Sequence, residues 1–252
     1  METLFIGKNI IFLPEVHSTN SYAIDLLKNV NLPEGTVVQA ASQTRGKGQR
    51  GAGWNSDPGR NLTVSVILKP GFLSVKNQFF LYQIVALACY DAMAEILDNG
   101  QIDIKIKWPN DILVNRKKIA GILIENTIQN NQVNWCVAGI GINVNQEIFD
   151  EDINATSLKM ITGKDYSMKY ILKTVCKHLE KYYLALLNTK LSAVKEDYLK
   201  HLYGLNEYLD FEIDGHVKTL LVKGLGDTGL LMLENESGQI MEVDVKEVKW
   251  IY

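Results

Sequence analysis

Ile102-Asp103-Ile104-Lys105-Ile106-Lys107-Trp108-Pro109-Asn110-Asp111-Ile112-Leu113-Val114 is the segment on which the fold turns. Ile102, Ile104, Ile106 and Trp108 alternate with Asp103, Lys105 and Lys107, so one face is apolar and the other wet. That is the period of a half-buried strand. Pro109 ends the run, and Pro-Asn-Asp supplies turn chemistry. Residues 112–114, 119–125 and 133–142 then read as further strands, joined by the turn-prone pairs Asn115-Arg116 and Asn130-Asn131. Strands that follow one another through short turns pair as hairpins, which predicts a largely antiparallel or mixed sheet.

Upstream, residues 10–13 read as a short strand. Ser18 and Thr19 stand where an N-cap belongs, before a helical run through Tyr22, Ala23, Leu26 and Leu27. Strand character returns at 36–41 and 62–68, separated by a long loop, 42–60, rich in glycine and charge. A loop of that length needs a reason to exist. Residues 73–97 are apolar enough for a buried helix. Downstream, 167–187 and 191–202 have helical spacing. After Gly204 the chain becomes short strands punctuated by Asp214-Gly215, Gly224, Gly226, Gly229 and Ser237-Gly238. Strands and helices grouped in this uneven order predict an α+β fold, with one domain over 1–205 and a small β-barrel domain over 206–252.

Composition narrows the function. With 252 residues, 46% of them hydrophobic, the chain can bury a large core. Its 26 basic and 29 acidic residues are interspersed and sum to a net charge of −3, which argues against a phosphate-backbone binder. The first residues break their apolar run with Gly7, Lys8 and Asn9, so neither a signal peptide nor a membrane span is expected there, and the expected location is the cytoplasm. Cys89, Cys136 and Cys176 are odd in number and far apart, which suits buried reduced thiols. His17, His178, His201 and His216 are scattered, and no G-x-S-x-G sequence occurs, so no hydrolytic triad is signalled.

Four motifs remain. Gly46-Lys47-Gly48-Gln49-Arg50-Gly51 fits G-x-G-x-x-G, yet the residues after it, Ala52-Gly53-Trp54-Asn55-Ser56-Asp57-Pro58-Gly59, cannot continue as the helix that a dinucleotide fingerprint requires. What is left is a glycine loop carrying Arg45, Lys47 and Arg50, either an anion clamp or a solvated turn. In Lys107-Trp108-Pro109-Asn110-Asp111 a β-turn accounts for the last three residues and leaves Lys107 and Trp108 unexplained. Lys118 opens an otherwise apolar strand, Lys118-Ile119-Ala120-Gly121-Ile122-Leu123-Ile124-Glu125, as a functional cation or a hairpin-mouth surface residue. Gly139-Ile140-Gly141-Ile142-Asn143-Val144-Asn145 places glycines where a backbone or ligand comes close, or where a strand bulges.

Taken in this order, together with Ser18-Thr19-Asn20, Gln43, Trp54, Asn61-Leu62 and Ala155-Thr156-Ser157-Leu158, these motifs resemble those of biotin–protein ligases over most of the chain. The resemblance implies a fold like class II aminoacyl-tRNA synthetases and biotin–lipoyl ligases, with an SH3-like barrel at the C-terminus. It implies ATP-dependent conversion of biotin to biotinyl-5'-AMP and transfer to a lysine of a biotin carboxyl carrier protein domain, with Mg2+ accompanying ATP. It puts Ser18, Thr19, Asn20, Gln43, Gly46, Trp54, Lys118 and Gly121 around biotin. Lys47, Arg50, Trp54, Asn110, Asp111 and Asn143 fall on the nucleotide side, with Lys118, Lys47 and Arg50 as catalytic cations and Asp111 as a metal ligand. Lys47 departs from the arginine frequent in the family, keeping charge but losing a planar fork. No helix-turn-helix is expected ahead of the catalytic domain, so no DNA partner is expected, and homodimerisation is left open. The rival readings are a lipoate–protein ligase and a biotin-sensing regulatory protein.

Overall fold

The computed structural model describes residues 3–97, 102–150 and 153–251, with the side chain of Arg50 outside the described set. Strand β1 (Ile10–Val16), helix α1 (Thr19–Asn29) and strand β2 (Val37–Gln43) form one parallel crossover. Every other pairing in the first sheet is antiparallel. Strands β3 (Leu62–Leu68), β4 (Ile104–Lys107), β5 (Asp111–Val114), β6 (Lys117–Gln129) and β7 (Gln132–Ile142) complete it in the order β1-β2-β3-β7-β6-β5-β4. The hairpin reading of residues 102–142 therefore holds strand for strand. Its turns bend at Asn115-Arg116 and Asn130-Asn131, all four with positive φ.

Helix α1 covers one face of this sheet, where Ala23 packs with Val38, Ile67 and Val137. The other face carries helices α2 (Phe79–Leu97), α4 (Met168–Leu187) and α5 (Leu191–Lys200). By length and composition, residues 75–97 are apolar enough to cross a membrane. In the fold, Leu81, Ile84, Leu87 and Met93 are fully buried between sheet and helices, so the apolar content is that of a core helix. The single helix expected over 73–97 is in fact a 3₁₀ turn (Val75–Asn77) followed by α2. Likewise 191–202 ends as a helix at Lys200. Leu202 pairs instead with Ile106, and that pairing covers the edge of β4. Helix α3 (Leu158–Thr162), five residues long, is too short to show a period. It is marked by Ser157, whose Oγ accepts from Met160 N at 3.1 Å, and by Gly163 at φ +73°.

The last strands, β8 (Tyr208–Ile213), β9 (His216–Leu225), β10 (Leu231–Glu234), β11 (Ile240–Val243) and β12 (Lys249–Trp250), make a second antiparallel sheet of SH3-like kind, ordered β11-β10-β9-β8-β12. Asp214 and Gly215, both at positive φ, turn β8 into β9 as the Asp-Gly pair predicts. Phe211, Val222, Leu231 and Leu233 belong to the same apolar cluster as the main core. Trp108 fastens the two sheets: its buried Nε1 donates to Gly229 O at 2.8 Å. A side chain at Gly229 would overlap Phe79, so glycine is needed there for close approach as well as for φ +88°. Cys89, Cys136 and Cys176 are free and buried, and burial pushes the Cys89 and Cys176 thiols up to about 12.

Candidate active site

Cross-strand register lines up one row of residues on the α1 face of the sheet: Lys107, Asp111, Gly121, Gly141, Thr63 and Ala40. Beside it runs a second row, Leu123, Gly139, Ser65 and Val38. The glycines leave a hollow in an otherwise filled surface. Strand β7 keeps regular register through Gly139–Gly141, so close approach, and not a bulge, explains them. The indole of Trp54 lies on the Gly121–Gly141 pair: a Cβ on Gly121 would sit 3.0 Å from the ring, and one on Gly141 would overlap it. The amide of Asn20 fills the space over Gly139 in the same way.

A cavity of about 230 Å³ opens over this hollow. The first turn of α1 supplies one wall through Ser18, Thr19 and Asn20, all buried. Ser18 sits at the N-cap position, as expected, yet its hydroxyl makes no cap bond to the helix. Gln43, at the end of β2, accepts from Thr19 N at 2.8 Å through Oε1. Asn20 Nδ2 donates to Leu123 O at 3.2 Å and to Glu125 Oε2 at 2.8 Å. Gly139 also lines the space, in keeping with its reading as a place of close approach, as do Thr63, Val64 and Leu123, which the sequence does not single out as contacts. For Thr63 the available signal is a polar side chain repeated at period two, Thr63 and Ser65, inside β3, whose residues are all buried.

The glycine loop is a small hairpin. Gly48 N donates to Ala52 O at 2.6 Å, Trp54 N to Gly46 O at 2.9 Å, and Lys47 pairs with Gly53 around a 3₁₀ turn (Gln49–Gly51). No helix follows the glycines, as the rejection of a dinucleotide fingerprint requires. Lys47 is exposed and lines the cavity; Gly46 does not line it but abuts Gln43 and Trp54. The side chain of Arg50 lies outside the described residues.

Opposite the α1 wall, Lys118 Nζ lies 2.7 Å from Asp111 Oδ1 and 5.8 Å from the Trp54 ring centre. Lys118 is therefore turned into the cavity beside the hairpin mouth. Its backbone is pinned there by Lys118 N to Asn154 O and Thr156 N to Lys118 O, both at 2.9 Å. Burial lowers the pKa of Lys107; the Asp111 charge opposes this shift and the Lys118 charge adds to it. Asn110 lines the cavity while its Nδ2 donates to Ile122 O at 2.9 Å. Asn143 is buried, donates through Nδ2 to Thr156 O at 3.1 Å, and lines a neighbouring space of about 580 Å³. Gln43, Trp54 and Lys118 border both spaces, so the two meet at these side chains. Among the described residues no group of three or more His, Cys, Asp or Glu is placed to hold a metal ion.

The arrangement offers a neutral donor and acceptor wall, a cation beside it and a second space beyond. Residues 12–143 match the family described as biotin/lipoate A/B protein ligase. The bifunctional ligase/repressor BirA of Bacillus subtilis (strain 168) is 31% identical over 253 residues, spanning 98% of this chain and 76% of that protein. Biotin protein ligase from Aquifex aeolicus in complex with biotin and ATP has a similar structure, with TM-score 0.78 at 31% identity over 96% of this chain and 98% of that one. For the biotin protein ligase of Leishmania major in complex with biotinyl-5-AMP, the TM-score is 0.63 at 27% identity over 94% and 99%. This chain belongs to the biotin/lipoate A/B protein ligase family.

Proposed function

We propose that this protein is a biotin–protein ligase, which activates biotin with ATP to biotinyl-5'-AMP and passes the biotinyl group to a lysine of an acceptor protein. The observation that carries this reading is the joining of a neutral polar wall to the Lys118–Asp111 pair within one cavity. Neutral donors and acceptors suit a ureido ring, and the relatives with bound biotin and ATP favour biotin over lipoate.

In the first step a biotin carboxylate oxygen attacks the α-phosphorus and pyrophosphate leaves. Little covalent work falls to the protein, which has to align the two groups and stabilise charge on phosphate oxygens. Lys118 is assigned that charge, reaching carboxylate and α-phosphate, with Lys47 and Arg50 arriving from the hairpin. Asn110, Asp111 and Asn143 take the nucleotide side. If Mg2+ accompanies ATP, Asp111 would offer it one carboxylate within the cavity, and the ion would supply further positive charge to the phosphate oxygens. In the second step the acceptor lysine amine attacks the acyl carbon, AMP leaves and the amine loses a proton. Trp54 and its hairpin keep water from the adenylate until then.

A biotin carboxyl carrier protein domain is the acceptor in this reading, and the cytoplasm its location. The catalytic domain is assigned to 1–205, and 206–252 to a barrel that supports nucleotide closure or acceptor docking. Incubation with ATP and either biotin or lipoate, followed by pyrophosphate release, tests the function: biotin-dependent release is expected, and release with lipoate alone overturns it. No promoter fragment should be specifically retained at physiological salt.

A further inference from the structure

The wall that meets the neutral ring of the ligand is held by residues behind it. Asn20 Nδ2 is committed to the Leu123 carbonyl and to Glu125 Oε2, so the other amide atom, Oδ1, has to accept. The group that reaches it is Ser65 Oγ, at 2.5 Å and fully buried. A serine hydroxyl has one proton, and Asn20 Oδ1 takes it. Thr19 Oγ1 lies 2.8 Å from the same Ser65 oxygen, so the proton in that contact comes from Thr19. The other acceptor for Thr19 is Gln43 Oε1 at 3.2 Å, which also belongs to the wall. By either route the Thr19 proton stays inside the wall, and Thr19 turns only lone pairs to the cavity. Because Gln43 Oε1 is taken by Thr19 N, Gln43 is left with Nε2, a donor.

We propose that Ser65 and Glu125, which do not line the cavity, fix through Asn20 and Thr19 which wall atoms donate and which accept, and so are positioning residues for the cyclic urea of biotin. The inference rests on the biotin reading above. Its logic is complementarity: a cyclic urea presents N–H donors and a carbonyl acceptor, and the ordered wall presents Thr19 Oγ1 to the former and Gln43 Nε2 to the latter. The cross-strand neighbours of Ser65 are Val38 and Gly139, which carry no polar side chain to replace its hydroxyl. Without Ser65, Asn20 Oδ1 loses its donor and Thr19 keeps only the longer contact to Gln43 Oε1, at 3.2 Å, so its proton is held less firmly inside the wall.

The test is Ser65→Ala, with Glu125→Ala and Glu125→Gln alongside wild type, in single-turnover adenylate formation and in calorimetric titration with biotin, desthiobiotin and ATP. Ser65→Ala should raise Kd and KM for biotin by roughly tenfold, the equivalent of one neutral hydrogen bond. Desthiobiotin, which keeps the urea and lacks the sulfur ring, should weaken by the same factor. KM for ATP and the rate at saturating biotin should stay at the wild-type value. Glu125→Ala should weaken biotin severalfold and Glu125→Gln should restore it, because the amide oxygen still accepts from Asn20. Unchanged biotin affinity in Ser65→Ala and Glu125→Ala overturns the proposal, as does an equal loss for ATP accompanied by a lower thermal midpoint. If Ser65→Ala fails to fold, the Glu125 pair decides by the same criteria. A wild-type protein that turns over lipoate but not biotin overturns the functional reading instead, so the two failures are distinguishable.

Discussion

The α1 side of the cavity and its cation side are built differently. Thr19, Asn20, Gln43 and Ser65 bond to one another in a continuous chain that ends on a backbone carbonyl and Glu125. Across the hollow, Lys118 meets Asp111, while Lys47 is exposed on a hairpin held mainly by its own backbone bonds. The difference follows from what each side has to bind. A neutral hydrogen bond contributes only about 0.5–1.5 kcal/mol net, so its geometry has to be set before the ligand arrives. Charge-assisted bonds to phosphate are about twice as strong and tolerate delivery by a loop.

The largest expected effect is on the cation side. Lys118→Ala should slow adenylate formation by roughly 10² to 10³, the loss typical of one preorganised transition-state donor. Stability should change by less than about 1 kcal/mol, because an ion pair that solvent reaches is worth little. Lys118→Arg should also be slow, since a broad planar fork does not place charge where a compact ammonium sat. Near-normal rates in both variants, with thermal unfolding followed in parallel, would leave the cation side without its central group. Next comes the floor. Gly141→Ala puts a methyl group where the Trp54 indole lies, so the hairpin has to lift. Misplacing it by about 1 Å should cost on the order of 10² in rate. Quenching of Trp54 fluorescence by acrylamide should increase in the same variant, and an unchanged rate would mean the indole does not position anything.

Which parts of this were legible beforehand follows the same division. Alternation in 102–108 and the turn pairs after it predicted the hairpins, because period two and turn chemistry are local properties. The ordered motifs brought Ser18, Gln43, Trp54, Asp111, Lys118 and Gly121 to one cavity. Ser65 and Glu125 were not recognisable as partners of Asn20, since they lie 45 and 105 residues from it in sequence and meet it only through sheet register. Trp108 was unexplained because its partner, Gly229, is 121 residues away. Asn143 was expected on the nucleotide side, and its amide also ties β7 to Thr156, a bond invisible without the fold. Short α3 and the 3₁₀ turn before α2 are set by caps and packing more than by periodicity.

Trp108 gives a smaller effect, with a split that sharpens the contrast. Trp108→Phe keeps an aromatic ring but leaves Gly229 O without its buried donor, which should lower stability by about 1–3 kcal/mol. Through Pro109, Trp108 leads into Asn110 in the turn and Asp111 at the start of β5, so KM for ATP should rise severalfold while biotin affinity holds. Denaturant unfolding and the two KM values check this; a loss confined to biotin would contradict the assignment of this turn to the nucleotide side.

The smallest effect is expected from the far face of the sheet, where Asp91 on α2 meets α4. Lys181 Nζ and Tyr182 Oη lie 2.9 and 3.0 Å from its Oδ2, and His178 Nδ1 lies 3.4 Å away. Burial acts to raise the Asp91 pKa, but His178 beside it, the hydrogen bonds from Lys181 and Tyr182 and the Lys181 charge outweigh it, holding the carboxyl at about 2. A depressed carboxyl pKa means the folded state prefers the carboxylate. Its contribution is therefore fully present above the unfolded-chain value near 4 and is lost as pH falls from about 4 to about 2. Asp91→Asn should be less stable than wild type near neutral pH, and the two should converge towards pH 2. Biotin and ATP KM values near neutrality should match wild type, because α2 and α4 pack on the face opposite the cavity. A stability gap that stays constant from pH 6 to pH 2 would show that Asp91 acts by packing and not by charge. A change in biotin KM would show that the wall chain is coupled through the sheet to the helices behind it.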